Sequence, residues 1–181
     1  MKRIRLMAFV VLLLAAPGLA GVRGTEWGMS KKQVRQIEGS PRELGKDRLV
    51  YEDRLDGLKV GVVYRFNHRE ELYSITYDFY MNKKERFFMI HALRQFDRIS
   101  EILREKYGPP ESGDAYSDRD KKIATLVSKE PIIEGWEMDD GTYMDHMLEY
   151  KDVYNHALVY GHRRLTDEYE ELAKQKEMEK F

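Results

Sequence analysis

The sequence predicts an α+β protein: an antiparallel sheet of two meanders, with a short N-terminal helix, a long central helix and a C-terminal helix packed on one face. Two patterns predict this class. Apolar and polar residues alternate in two separate stretches, as in strands with one buried face, whereas elsewhere apolar residues recur at helical spacing. The strand-like segments are separated by short turns, which favours antiparallel pairing.

A capping box predicts the first helix. Ser30 is followed three residues later by Gln33, so each side chain can bond the backbone N–H group of the other at the start of a helix. Gly39 supplies a C-terminal stop, and Pro41 prevents the helix from continuing. We therefore expect a short helix over residues 31 to 38.

Three runs of alternating residues between positions 48 and 79 predict the first meander. Asp56-Gly57 in the first turn is a strong hairpin signal, and the second turn spans residues 67 to 70. The residues expected on the buried face are Leu49 and Tyr51 in the first strand, Val60, Val62, Tyr64 and Phe66 in the second, and Tyr73, Ile75, Tyr77 and Phe79 in the third.

A long amphipathic helix is predicted over residues 83 to 107. Gly108-Pro109-Pro110 ends it, and the polar segment from 111 to 120 follows as a connector between two halves of the chain. The apolar stripe of this helix consists of Phe88, Ala92, Phe96, Ile99, Leu103 and Tyr107.

The second meander is predicted after the connector. Asp139-Asp140-Gly141 makes a tight turn between two of its strands. Thr166 is the expected N-cap of a last helix, which continues to about residue 180. The expected strands span residues 123 to 127, 132 to 138, 142 to 150 and 156 to 162.

Residues 1 to 20 have the layout of a secretory signal peptide. Basic residues precede an apolar run from residue 6 to residue 16, and small residues allow cleavage after Ala20, with a cut after Gly24 as the alternative. The apolar run is too short to cross a membrane. We therefore expect export by a cleaved signal peptide to the periplasm or the medium.

Composition narrows the classes of function. The 31 Lys and Arg residues balance the 32 Asp and Glu residues, which leaves no basic field for nucleic acid. The absence of Cys excludes disulfides, thiol nucleophiles and thiolate metal sites. No segment after the signal peptide is apolar enough to span a membrane. We expect one soluble domain over residues 21 to 181, built of two halves at about 25 to 110 and 121 to 181.

The run from Trp27 to Val34, continued by Glu38-Gly39-Ser40-Pro41, resembles the opening helix of small bacterial envelope proteins of the BamE and β-lactamase-inhibitor-protein type. The likeness covers about residues 25 to 110 and includes the strand that ends in Tyr64-Arg65-Phe66. It implies a helical element paired with an antiparallel meander, and action by binding other proteins.

The chain is also similar to a set of exported proteins in which a long helix ends in Tyr-Gly-x-Pro, here Tyr107-Gly108-Pro109-Pro110. Two features depart from the BamE and inhibitor types. Members in the outer membrane are anchored through a lipidated Cys, and the inhibitor-type members carry disulfides, whereas this chain has no Cys. No binding residue follows from the resemblance.

The histidines are the natural place to look for chemistry. His146 and His156 fall on adjoining predicted strands, but Asp145 and Glu149, which would complete a metal site, have the opposite strand parity to His146. The sequence also lacks the His-Glu-x-x-His and Gly-x-Ser-x-Gly patterns. We therefore predict no catalytic residue, no cofactor and no metal site.

The uncovered face of the first meander is the predicted binding surface, because a polar face that carries Tyr can receive a partner. These patterns favour a non-enzymatic module that binds another envelope protein. The alternatives are a domain that binds a small ligand between sheet and long helix, and a hydrolase that uses a carboxylate pair. The residues of the predicted face are Lys59, Val63, Arg65, Thr76, Asp78 and Tyr80.

Overall fold

The structure is a computed structural model that describes residues 22–80, 88–113 and 118–179. A 3-10 turn at Val22–Gly24 precedes the main elements. In chain order these are α1 Lys31–Glu38, β1 Glu43–Leu44, β2 Arg48–Leu55, β3 Leu58–Phe66, β4 Leu72–Phe79, α2 Phe88–Tyr107, α3 Arg119–Val127, β5 Ile132–Glu137, β6 Thr142–Lys151, β7 Val153–His162 and α4 Arg163–Met178.

The seven strands form one antiparallel sheet in the order β1-β2-β3-β4-β7-β6-β5. β4 pairs with β7, with Ile75 opposite Tyr160, and this pairing joins the two meanders at the centre of the sheet. The predicted α+β class, with an antiparallel sheet, a long central helix and a C-terminal helix, is confirmed.

The capping box and the first hairpin turn predicted from the sequence are present in the structure. The Ser30 N–H group donates to Gln33 Oε1 at 2.9 Å, which closes the capping box of α1. Asp56 and Gly57 adopt φ values of 50° and 76°, the left-handed conformation that a two-residue hairpin turn requires. β2 and β3 are therefore joined by the predicted hairpin turn, with Leu55 opposite Leu58.

Helices α1, α2 and α3 cover one face of the sheet, and the apolar core beneath them has two parts. The small cluster consists of Ala92, Leu93, Phe96, Leu126, Ile132 and Leu148. The large cluster consists of Val34, Leu49, Tyr51, Val60, Val62, Tyr64, Phe66, Leu72, Ile75, Tyr77, Phe79, Ile99, Leu103, Trp136, Met144, Leu158 and Tyr160.

Helix α4 contacts the opposite face, which differs from the expected gathering of all helices on one face. Tyr169 stacks on Tyr73 with ring centroids 4.7 Å apart, and the Tyr143 hydroxyl lies 3.4 Å from that of Thr166. Tyr143 belongs to this face because it alternates with the buried Met144. β7 continues into α4 without a loop, so these side-chain contacts determine on which face the helix lies.

A β-bulge moves Tyr73 away from its predicted place on the buried core face. Arg65 pairs with Ser74 and Phe66 pairs with Leu72, so Tyr73 has no partner of its own in β3. The extra residue reverses the alternation at this end of β4, and Tyr73 contacts α4 instead of the core.

The predicted strand over residues 123 to 127 is wrong, because this segment is part of helix α3. The Asp118 carboxylate accepts a hydrogen bond from the backbone N–H group two residues further on, at 2.8 Å, and so caps the helix. Ile123 and Leu126, three residues apart, pack into the small cluster. In so short a segment, these two apolar positions fit a strand or a helix.

The predicted N-cap at Thr166 is also wrong. Helix α4 begins at Arg163, and His162 stands at the N-cap without a capping side-chain bond. The Arg163 N–H group donates to the Gly141 carbonyl at 2.9 Å, so strand pairing extends to the first helical residue. Thr166 therefore lies inside the helix, where its hydroxyl meets Tyr143.

Residues 1 to 20, predicted as a signal peptide, and residues 83 to 87, predicted as the first residues of the long helix, lie outside the described residues. Part of the connector, residues 114 to 117, does so as well. Among the helices that the structure describes, none is both long enough and apolar enough to cross a membrane.

Candidate functional site

The six residues of the predicted binding surface, which we call the partner face, share one side of the sheet. The prediction that helices leave this side uncovered is wrong, because α4 packs on its Tyr73 end. Val63 lies directly opposite Thr76 in the β3–β4 register, and the Tyr80 N–H group donates to the Lys59 carbonyl at 3.0 Å. The set, which alternates with the residues of the large cluster, is Lys59, Val63, Arg65, Thr76, Asp78 and Tyr80.

Tyr80 is the main exposed aromatic side chain of the partner face, with 46% of its surface accessible. Its ring lies over Gly61, where an added Cβ would be 3.2 Å from the hydroxyl oxygen. Lys59 Nζ lies 5.1 Å from the ring centroid and 3.3 Å from Glu52 Oε1. Because residue 61 is glycine, no side chain there crowds the Tyr80 ring, which packs beside the Lys59 ammonium group.

The remaining members of the partner face differ in exposure. Arg65 is exposed, whereas Val63 and Thr76 are buried within the sheet surface. Burial raises the pKa of Asp78, and the charge of Arg65 acts in the opposite direction. The accessible chemistry of the face is thus one aromatic ring, two cations and one partly desolvated carboxyl group.

A second cluster lies inside the core under α2, and we call it the polar layer. It consists of Ser100, Glu134, His146 and His156. The Nε2 atoms of the two histidines face each other at 2.8 Å, and Ser100 Oγ lies 3.2 Å from His146 Nδ1. The polar layer therefore crosses three strands and a helix in one connected chain.

Glu134 and Arg104 continue the chain toward the surface. Glu134 Oε1 accepts a hydrogen bond from Arg104 Nη2 at 3.0 Å, and Oε2 lies 3.9 Å from His146 Nδ1. The Glu134 side chain is 1% exposed, and the His146 side chain is fully buried. A buried carboxylate of this kind needs a cationic partner, and Arg104 supplies it.

Aromatic rings hold both imidazoles in place. Phe96 stacks on His146 with centroids 4.1 Å apart and an interplanar angle of 7°. Phe79 stacks on His156 at 4.0 Å and 12°. Each histidine is thus enclosed by an apolar face, which excludes water from the facing nitrogens.

The electrostatics of the polar layer follow from this enclosure. Burial lowers the pKa of His146 below its ordinary value of 6.5, although Glu134 acts to raise it. Burial and the neighbouring imidazole lower the pKa of His156 further. Burial would raise the pKa of Glu134, but the His146, Ser100 and Arg104 groups outweigh it and bring this pKa to about 2. The layer therefore holds a carboxylate beside two neutral imidazoles.

Only one hydrogen fits between the two facing Nε2 atoms, so the two rings are opposite tautomers. We assign this hydrogen to His156. His146 Nδ1–H then donates to Ser100 Oγ on the side of the Glu134 carboxylate. His156 Nδ1, which has no hydrogen-bond partner among the described residues, is left as a bare acceptor rather than a buried donor.

The described residues contain no group of three or more His, Asp or Glu side chains arranged to hold a metal ion. In the polar layer, each facing Nε2 atom contacts the other imidazole. Asp145 pairs with Val159 on the opposite face from His146, which confirms the parity argument made from the sequence.

Sequence reasoning placed the two histidines on one hairpin but missed Glu134, Ser100 and Arg104. A signal for Glu134 was present. Residues 134 and 146 are equally distant from the turn at Asp140, so a tight hairpin there places them opposite each other, as observed. Ser100 and Arg104 have no such signal, because only the docking of α2 on the sheet brings them to Glu134.

Comparison of the chain with protein-family models, curated protein sequences and solved structures finds no match. The resemblance to envelope proteins of the BamE and β-lactamase-inhibitor-protein type therefore stays a prediction.

Proposed function

We propose that the protein is an exported, non-enzymatic module of the bacterial envelope, and that it binds another envelope protein through the partner face. The observation that carries the proposal is Tyr80, an exposed aromatic ring on a sheet, with the Lys59 ammonium group beside it. Tyr and Arg are the residue types enriched among energetically dominant interface positions.

The chemistry of the partner face specifies the kind of partner. Lys59 and Arg65 place two cationic groups on either side of a short row of buried residues, while the Tyr80 ring offers a rigid apolar surface. A surface that combines a carboxylate with an apolar side chain complements this arrangement. We therefore propose a partner protein whose contact surface is acidic.

Two observations support binding over the alternatives. The polar layer, the cluster with the richest chemistry among the described residues, is closed to solvent by Phe79 and Phe96. The space between α2 and the sheet is filled by buried side chains such as Ile99 and Leu103. This packing lends no support to a small ligand bound between sheet and helix.

The experiment begins with a photo-crosslinking amino acid at position 80 of the exported chain, irradiated in an envelope extract. The captured protein is identified by mass spectrometry and purified, and its affinity is then measured by biolayer interferometry. We expect Arg65→Glu and Tyr80→Ala each to weaken binding at least about tenfold, as for a loss of about 1.4 kcal/mol at an interface.

Lys121→Glu, an exposed charge reversal on α3 outside the partner face, is the matched control and should leave the affinity unchanged. Thermal denaturation of each variant checks that the fold is intact. The proposal fails if Arg65→Glu and Tyr80→Ala bind the captured protein as tightly as the unsubstituted chain does.

A further inference from the structure

The polar layer lies between the two apolar clusters. Along β6, Met144 belongs to the large cluster, His146 to the polar layer and Leu148 to the small cluster. The same order recurs along β5, where Glu134 lies between Trp136 and Ile132. A polar boundary thus divides a core that would otherwise be continuous.

The two sides of this boundary differ in size. Among the described residues, the large cluster has seventeen buried members and the small cluster has six. Helix α2 contributes three members of the small cluster, whereas α3 contributes only Leu126, with Ile123 packed beside it. Because hydrophobic stabilisation scales with buried apolar area, α3, which buries one apolar side chain, separates from the sheet at a lower cost than α2, which buries five.

A proton on His146 has the Glu134 carboxylate beside it, with Oε2 3.9 Å from Nδ1, whereas the charge that acts on His156 is that of His146. Both carboxylates nearby already have a cationic partner, Glu134 in Arg104 and Asp97 in Lys122. Lys122 also lies over the Phe96 ring that stacks on His146, with Nζ 5.3 Å from its centroid. The charged groups that face the histidine pair are Glu134 from β5, Asp97 and Arg104 from α2, and Lys122 from α3.

We propose that the polar layer is an acid-operated latch: protonation of the His146–His156 pair undocks α3 and the small cluster, while the large cluster stays folded. The closed state keeps both imidazoles neutral and joined through one hydrogen. The open state lets water reach them, and each ring then accepts a proton on its free nitrogen. This inference goes beyond the proposed function and does not depend on a partner.

The direction of the effect follows from proton linkage. The folded pKa of both histidines lies below 6.5, so the closed state binds fewer protons than the open state once the pH falls below that value. Below about pH 6.5, each proton taken up on opening raises the opening constant about tenfold per pH unit. Only one unit of the interval from about pH 7.5 to about pH 5.5 lies below that value, so for two histidines we expect a rise of at most about 100-fold.

Hydrogen exchange followed by mass spectrometry tests the latch on the whole protein. Protection factors, corrected for the intrinsic exchange rate at each pH, are compared at about pH 7.5 and about pH 5.5. We expect protection of α3 to fall by at most about 100-fold, while protection of β3 and β4 changes by less than about threefold. Equal protection of α3 at both pH values, or equal loss in β3 and β4, would overturn the proposal.

A variant isolates the histidine pair. His156→Gln keeps an N–H donor for His146 Nε2 but removes one titrating group, so the fall in α3 protection should shrink to at most about tenfold. His68→Gln, which replaces an exposed turn histidine, is the matched control and should keep the full response.

Nuclear magnetic resonance of the imidazole nitrogens in the unsubstituted protein gives a second measurement that needs no variant. We expect two neutral, opposite tautomers at about pH 7.5 and protonation of both rings together with the loss of α3 protection. If both imidazoles gain protons while α3 stays protected, the latch is wrong even if a partner binds Tyr80.

Discussion

Arg23 and Glu38 form a bidentate ion pair, with Arg23 Nε 2.9 Å from Glu38 Oε1 and Nη2 2.9 Å from Oε2. The Glu38 side chain is only 6% exposed and also accepts a hydrogen bond from the Tyr64 hydroxyl at 2.7 Å. Arg23 further pairs with Asp53 of β2, and Val22 packs against the large cluster. The first described residues are therefore part of the folded domain.

This contact favours one of the two cleavage sites predicted from the sequence. A cut after Gly24 would remove Arg23 and leave Glu38 with the Tyr64 hydroxyl but without its charge partner. We expect cleavage after Ala20, so that intact-mass measurement of the exported protein gives a chain that starts at Gly21. A mature chain that begins at Thr25 would contradict this prediction.

Removal of the Arg23 guanidinium should destabilise the fold. Arg23→Ala leaves the Glu38 carboxylate buried without a cation, and we expect the free energy of unfolding to fall by about 2 kcal/mol in urea denaturation. Arg42→Ala breaks the exposed pair with Glu52 and should cost less than about 1 kcal/mol. Equal losses in the two variants would show that burial of Glu38 has no energetic consequence.

Glu134→Gln should destabilise the protein in a pH-dependent way. The folded pKa of Glu134 is about 2 against an ordinary value of 4.5, so its carboxylate stabilises the fold fully above 4.5 and loses this effect as the pH falls toward 2. We expect Glu134→Gln to lower the free energy of unfolding by about 2 kcal/mol near neutral pH. This difference from the unsubstituted protein should become smaller below about pH 4.5.

Urea denaturation across this pH range measures the effect of Glu134→Gln. Glu137→Gln, which removes an exposed pair with Arg163, is the control and should cost less than about 1 kcal/mol at every pH. A cost of Glu134→Gln that stays constant down to about pH 3 would contradict the assignment of a stabilising carboxylate.

Gly161→Ala should destabilise the opposite face of the sheet, where Tyr143 lies over Gly161. A Cβ at this position would overlap the Tyr143 ring, which is held by Thr166 and by the Arg163 guanidinium 4.9 Å from its centroid. We expect the free energy of unfolding of Gly161→Ala, measured by thermal or urea denaturation, to fall by about 2 kcal/mol. Gly45→Ala, where the added Cβ lies 2.9 Å from Cγ of the exposed Arg48 side chain, should cost less than Gly161→Ala.

A double variant separates overlap from other effects at Gly161. In Gly161→Ala combined with Tyr143→Ala, the second change removes the ring that the new Cβ meets. The cost of the glycine substitution should therefore nearly disappear in the Tyr143→Ala background. If Gly161→Ala lowers the free energy of unfolding as much in the Tyr143→Ala background as in the unsubstituted protein, overlap with the Tyr143 ring is not the cause.

Leu126→Ala tests the helical assignment of α3 and the small cluster together. Leu126 is buried, whereas the neighbouring Val127 is 71% exposed. We expect Leu126→Ala to cost about 2 to 3 kcal/mol and Val127→Ala less than about 0.5 kcal/mol. The α3 amides should lose hydrogen-exchange protection in the first variant alone; loss in both would contradict the packing of this helix.

Much of the fold could be predicted from the sequence because its signals are local. The capping box at Ser30, the Asp56-Gly57 turn and the Asp139-Asp140-Gly141 turn each act over two to four residues. Alternation over eight to ten residues then identified the strands, and the short turns between them determined antiparallel pairing. The partner face followed from the same alternation, because strand parity assigns residues to a face.

The errors arose where local patterns are ambiguous. Residues 123 to 127 are too few to distinguish a strand from a turn of helix, and only the packing of Leu126 into the small cluster decides it. The bulge that turns Tyr73 toward α4 depends on the pairing of β4 with β3. The residues of β4 alone do not predict it.

The sequence by itself determined the α+β class, the order of the strands within each meander and the parity of the two histidines. Tertiary structure alone decided that β4 pairs with β7, that α4 lies on the opposite face, and that Ser100 and Arg104 reach Glu134. Propensity, capping and alternation act between near neighbours, whereas these contacts join residues far apart in the chain. Their partners are selected by the packing of whole faces, which no single segment encodes.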